Sequence, residues 1–185
     1  MRSKAARKEA HDEESRRSGL FLQDAVLSAT HDLRYDSSAT RTKIQTEFTR
    51  RNSGKQPYTW QVNVTEAKHC CLALDCTVIA GTTMPTVMPL FVHPKKVVMI
   101  ISPLNALEED QAQRFRDMDL TAAAVNGETY DDKMHKNMQK GEVQVIVTSH
   151  EMCLQDTKFR ELLSLPSFAK RICSVVVDEA HCVSQ

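Results

Sequence analysis

The chain has 185 residues, of which 41% are apolar and 26% charged, and its 24 basic side chains are balanced by 24 acidic ones. That is one ordinary globular domain and short of two, at roughly 100–200 residues per domain, and wholesale disorder is excluded. No apolar run approaches the ~20 residues that cross a bilayer, the first residues carry no apolar signal core, and the six cysteines include no C-x-x-C pair that would mark a zinc site or disulfide framework. An intracellular, reduced protein with no membrane partner is the expectation. The charge balance hides an asymmetry: residues 1–55 hold 12 basic and 8 acidic side chains, and residues 56–185 hold 12 and 16.

Residues 1–18 are charged, mixed in sign and poor in large apolar residues, so disorder is expected there. Residues 19–40 add an apolar cluster (Leu20, Phe21, Leu22, Val26, Leu27) and a polar stretch with no assignable role. Residues 1–40 therefore read as a flexible charged arm and 41–185 as the folded domain. Arg41–Arg51 reads as a helix closed by Gly54 and the Gln56-Pro57 break, and Thr59–Leu74 as a second helix. Short apolar runs then recur at Cys76–Ala80, Val97–Ser102, Thr121–Val125, Val143–Thr148 and Cys173–Asp178. Val97–Ile101 and Ser174–Val177 are nearly continuous, as strands buried on both faces of a parallel sheet must be. Between the runs, Leu104, Leu107, Gln111, Phe115 and Met118 keep helical spacing with charges between them. Alternating strand and helix gives an α/β domain with right-handed crossovers, whose ligands bind beyond the carboxyl ends of the strands. The chemistry is expected just after residues 80, 102, 148 and 178.

The strongest signal is Ser174-Val175-Val176-Val177-Asp178-Glu179-Ala180-His181, an apolar strand ending in two carboxylates. In nucleotide hydrolases one such carboxylate holds Mg²⁺ and the next polarises the attacking water. By that reading Asp178 is the metal residue, Glu179 the general base and His181 a coupling residue; the bland alternative is a strand running out into an acidic turn. The continuation Cys182-Val183-Ser184-Gln185 makes the whole stretch resemble motif II of the RecQ family of DNA helicases. Ile101-Ser102-Pro103-Leu104, followed by Asp110-Gln111, looks like motif Ia. Thr148-Ser149-His150-Glu151 looks like motif Ib, with His150 where the family usually has Pro. The resemblance implies that Ser102, Pro103, Leu104, Thr148 and Ser149 line a single-stranded DNA path, which suits hydroxyls and backbone N–H groups facing phosphate. Without it, these segments read as ordinary helix starts. Pro57-Tyr58-Thr59-Trp60-Gln61 resembles the region carrying the adenine-reading Gln, a role in which the amide of Gln61 both donates and accepts.

The resemblance covers roughly residues 44–185. It implies a RecA-like, P-loop NTPase α/β motor domain, ATP and Mg²⁺ as cofactors, single-stranded or duplex DNA as partner, 3′-to-5′ ATP-dependent unwinding, a nuclear location, and a second RecA-like domain beyond Gln185. One element departs from the pattern. The phosphate loop [AG]-x-x-x-x-G-K-[ST] is expected after Ala80, where the sequence reads Gly81-Thr82-Thr83-Met84-Pro85. If Gly81 and Thr82 open the loop and Thr83 is its metal-binding hydroxyl, four residues including the Gly-Lys are missing, and Lys95 and Lys96 lie more than a helix away. Each hydrogen bond to a charged phosphate is worth about 1.5–3 kcal/mol, so ATP affinity is expected to fall by orders of magnitude. Three alternatives follow: a catalytically dead remnant or regulatory module that binds DNA or a partner, an RNA helicase relative, and a nucleotide-independent interaction domain.

Overall fold

The computed structural model describes residues 4–70, 83–102 and 105–178. Four of the expected apolar runs are strands: β1 (Val97–Ile101), β2 (Ala122–Val125), β3 (Val145–Thr148) and β4 (Ile172–Val177). All pair in parallel, in the order β2-β3-β1-β4. The fifth expected strand, Cys76–Ala80, lies outside the described residues. β1 and β3 sit in the middle, and Val98, Val145, Ile146 and Val147 are fully buried. Covered faces on both sides explain why these runs do not alternate with polar residues.

Ten helices are described. α1 (Lys4–Leu33), α2 (Ser37–Arg51), α3 (Thr59–Cys70), α4 (Thr83–Val87), α5 (Pro89–Val92) and α6 (Asn105–Arg116) precede β2. α7 (Asp132–Lys140) follows β2, and α8 (His150–Gln155), α9 (Thr157–Ser164) and α10 (Pro166–Ala169) follow β3. One core joins the Val98, Ile100, Val145 and Val147 side of the sheet to Ile44 and Phe48 of α2, Val62 of α3, Leu90 and Phe91 of α5, and Ala112 and Phe115 of α6. The second joins Val97, Met99 and Ile146 to Met138 of α7, Met152 of α8, Phe159 and Leu162 of α9, and Phe168 of α10. Helices on both faces of a parallel sheet make the three-layer α/β architecture of a RecA-like domain.

Three features differ from expectation. The first is the amino terminus, where Lys4–Leu33 is helical although residues 1–18 were expected to be disordered. Its second half packs on α3 and buries Ala29. The second is the start of α2, four residues ahead of Arg41. The Asp36 carboxylate accepts the Ala39 N–H at 2.8 Å, an N-cap that lets the Ser-Thr-rich stretch enter the helix. The third is β4, which was expected to be buried on both faces. It lies at the edge of the described sheet, and Val175 and Val177, on the α7–α10 side with Met99, are 52% and 46% exposed.

The helical amino-terminal part is fastened by a polar knot. Glu66 of α3, 2% exposed, accepts hydrogen bonds from Tyr35 (3.3 Å) and Ser37 and pairs with Arg41 at 2.5 Å, while Arg41 also donates to Asn63 at 2.9 Å. Burial, acting with the Glu66 charge, drives the Tyr35 phenol far above its usual pKa, so it stays a donor.

Candidate functional site

The carboxyl ends of β1, β3 and β4 are drawn together by hydrogen bonds that continue the ladder past the strands. The Ser102 N–H donates to the Thr148 carbonyl at 2.9 Å, and the Asp178 N–H donates to the Ile101 carbonyl at 2.8 Å. Ser102, Thr148, Ser149 and Asp178 therefore share one sheet edge, the edge at which ligands of such sheets bind. Pro103, Leu104, Gly81, Thr82, Glu179 and His181, singled out with them, lie outside the described residues.

Asp178 leaves β4 half-buried, and its Oδ2 accepts from the Gln111 amide of α6 at 3.3 Å. Gln111 links the segment resembling motif Ia to the one resembling motif II, a role that sequence reading did not give it. The signal was there in the Asp110-Gln111 pair, one helix face beyond Ser102.

The hydroxyls assigned to a nucleic-acid path already have protein partners. Thr148 is fully buried and donates to the Val125 carbonyl at 2.8 Å. Ser149 is the N-cap of α8, accepting the Met152 N–H at 3.2 Å. Both side chains hold the edge in shape, which leaves contact with a strand to the backbone and to neighbouring loops.

The loop after β2 joins the same edge. Asn126 accepts from the Glu128 and Thr129 N–H groups and donates to Glu108 of α6 at 3.1 Å. Glu108 is fully buried, its second oxygen has no hydrogen-bond partner among the described residues, and burial pushes its carboxyl above the usual carboxylate range.

Gln61 and Thr83 sit on helices outside the sheet. Gln61 is 3% exposed, and its amide oxygen accepts the Tyr58 N–H at 3.0 Å, reaching back over the first turn of α3 as in a capping box. Thr83 is the first residue of α4. A lysine that sequence reading passed over stands close by: Lys68 of α3 donates to the Pro85 carbonyl at 3.2 Å, two residues past Thr83. No group of three or more metal-ligating side chains is present among the described residues.

Residues 73–185 match the family model described as DEAD/DEAH box helicase. The chain belongs to that family. It is also 26% identical over 136 residues to the RecQ-like DNA helicase BLM of Xenopus laevis, an alignment covering 68% of this chain and 10% of that protein. This domain of a DEAD/DEAH box helicase thus spans about a tenth of the relative's length, and the RecQ resemblance of its motif II segment has support from a second direction. Ser102, Ser149 and Asp178 all fall within the matched residues; Gln61 precedes them. No described helix is long and apolar enough to cross a membrane.

Proposed function

We propose that the chain is the nucleic-acid-binding motor domain of a RecQ-like DNA helicase, with DNA running over the carboxyl edge of the sheet. The observation that carries this is the convergence of three motif-bearing strand ends through the Ser102–Thr148 and Asp178–Ile101 backbone bonds. In a parallel sheet those ends stay in fixed register, so a strand of DNA lying across Ser102 and Ser149 is held at a constant distance from Asp178. The Gln111–Asp178 bond supports the reading further, because it ties the DNA-side helix to the carboxylate assigned to the metal.

The residues fit the metal half of the family's chemistry better than the phosphate half. Asp178, at a strand end and half-buried, is of the type that holds Mg²⁺ through water, and Glu179 next to it is the proposed general base. Mg²⁺ and ATP, where bound, supply phosphoryl transfer. The run Gly81-Thr82-Thr83 lacks the Gly-Lys that grips phosphate, so no hydrolytic step is assigned to it. That gap favours a second reading, a motor domain retaining its nucleic-acid edge without ATP turnover. In the first reading the chain acts in the nucleus as part of a 3′-to-5′ DNA-unwinding motor with a second RecA-like domain; in the second it is a DNA- or partner-binding module.

Both readings expect weak, salt-sensitive binding of single-stranded DNA, with a slope of about −0.7 in log K against log salt for each phosphate contacted. A flat salt dependence rules out the DNA path. ATPase activity in the purified chain that Glu179→Gln abolishes establishes the first reading, and its absence with DNA binding intact establishes the second.

A further inference from the structure

The amino edge of the sheet carries a second concentration of chemistry that the motor reading does not use. His69, near the end of α3, and His93, in the turn between α5 and β1, face each other with ring centroids 5.3 Å apart and planes inclined by 38°. Nδ1 of His69 lies 2.8 Å from the Thr65 carbonyl, which fixes it as the protonated nitrogen. Its Nε2 is buried with no hydrogen-bond partner among the described residues. An orphaned polar atom of this kind calls for an explanation.

The surroundings give the sign of the missing partner. Lys43 of α2 and Lys96 of the turn before β1 both act on His93, and Lys68 acts on His69. Lys43 and Lys96 form no ion pair among the described residues; each donates instead to a backbone carbonyl, Val92 at 3.1 Å and Lys170 at 2.7 Å. Glu66, the carboxylate acting on His69, is committed to Arg41. Cys173 of β4 feels Lys96 and Lys68, and burial holds its thiol neutral. A cation entering this cluster meets several ammonium groups, so the orphaned nitrogen does not await a metal.

We propose that His69, His93, Lys43 and Lys96 form a binding site for a phosphate group at the amino edge of the sheet, loaded together with protons on the two imidazoles. Without an anion, burial and the nearby lysines keep both rings neutral at pH 7. An oxyanion reverses that balance. It compensates the lysine charge, favours the imidazolium form of both rings and accepts the proton that Nε2 of His69 then carries. Charge-assisted hydrogen bonds of this type are the strong ones. The sign follows from linkage: a ligand that raises the pKa of a base binds more tightly as pH falls through that range. The phosphate group belongs either to a nucleic-acid backbone wrapping from the opposite edge or to a free phosphate compound.

The test uses the full chain with sulfate, which stays a dianion through the range, as the probe. Calorimetry at pH 7.5 and 5.5 is expected to give at least a ~10-fold tighter sulfate affinity at the lower pH. Histidine NMR titration is expected to find the pKa values of His69 and His93 raised in sulfate, and the lysine double variant Lys43→Met/Lys96→Met and the single variant His93→Gln are expected to lose the pH-dependent binding. Circular dichroism of each variant checks that it is folded. Imidazole titrations unmoved by sulfate, or variants that bind as the wild type does, overturn the site. A short oligothymidylate is the second arm: displacement of sulfate assigns the phosphate to nucleic acid, and binding alongside it assigns a free phosphate compound, both results requiring the sulfate site.

Discussion

The sheet and the amino-terminal helices are held by opposite means. Around β1 and β3 the contacts are apolar and numerous, with Val98, Val145, Ile146 and Val147 fully buried between two helical layers. Between α1, α2 and α3 the link is a few directional bonds converging on Glu66. An apolar core loses stability in proportion to what is removed and partly relaxes around the gap, whereas a buried carboxylate stripped of its partner cannot relax. The sheet is therefore tolerant and the knot is not.

The sharpest way to break this contrast is to unpair the knot. Arg41→Ala leaves Glu66 buried without its countercharge, and unfolding in urea should lose about 3–5 kcal/mol. In a double-mutant cycle Glu66→Gln should recover part of the loss, giving a coupling of about 1–3 kcal/mol. Additive effects would mean that the knot behaves like the core. Within the sheet, Ile146→Val should lose only about 0.5–1.5 kcal/mol on the same scale. At the carboxyl edge, Ser149→Ala removes the α8 cap and should lose about 1 kcal/mol, while also weakening single-stranded DNA binding if that edge is the DNA path. The exposed pair Arg50–Asp119, at 3.4 Å with half or more of each side chain in solvent, should give about 0.5 kcal/mol or less when Arg50 is replaced by Ala.

Glu108 sharpens the comparison through pH rather than size. Its carboxyl is raised above 4.5 by burial in the folded state. The folded chain therefore holds this proton more tightly than the unfolded one, so its contribution is complete below the unfolded pKa and is lost as pH rises through the folded one. Glu108→Gln should remove that part of the decline, which stability curves in urea from pH 4 to 8 would register as a shallower slope.

The sheet was legible because its signal is local. Strand ends fell within a residue or two of the expected runs, since a buried parallel strand announces itself by consecutive β-branched and aliphatic residues. The knot was not legible, because Tyr35, Ser37, Arg41 and Glu66 come together across 25 to 31 residues with no periodicity to mark them. Asp36 did carry a readable cap signal that the polar stretch around it obscured. The pairs Arg16-Arg17 and Arg50-Arg51 looked too sparse to interpret. Arg51 turns out to donate to the Met118 and Asp119 carbonyls, holding α2 against the end of α6 and stacking over Phe91. At the candidate site the residue types were legible and their partners were not. Thr148, Ser149 and Gln61 were read as facing ligand, yet each makes a bond to backbone, and only the fold reveals that.

The strand order has a consequence for the chain as it is made. β1 lies between β3 and β4, and Val98 pairs with Val145 and Ser174. Its first partner is thus synthesised 47 residues after it and its second 76 residues after it. At about 5–20 residues per second, β1 waits roughly 2–10 s for β3 and longer for β4. Throughout that interval the most apolar strand of the domain, Val-Val-Met-Ile-Ile, presents two open edges. Such a strand is a template for any passing chain. The nascent protein is accordingly most vulnerable to misassembly between the emergence of residues 101 and 145, and that is the window in which a chaperone holding β1 would raise the yield of folded domain most.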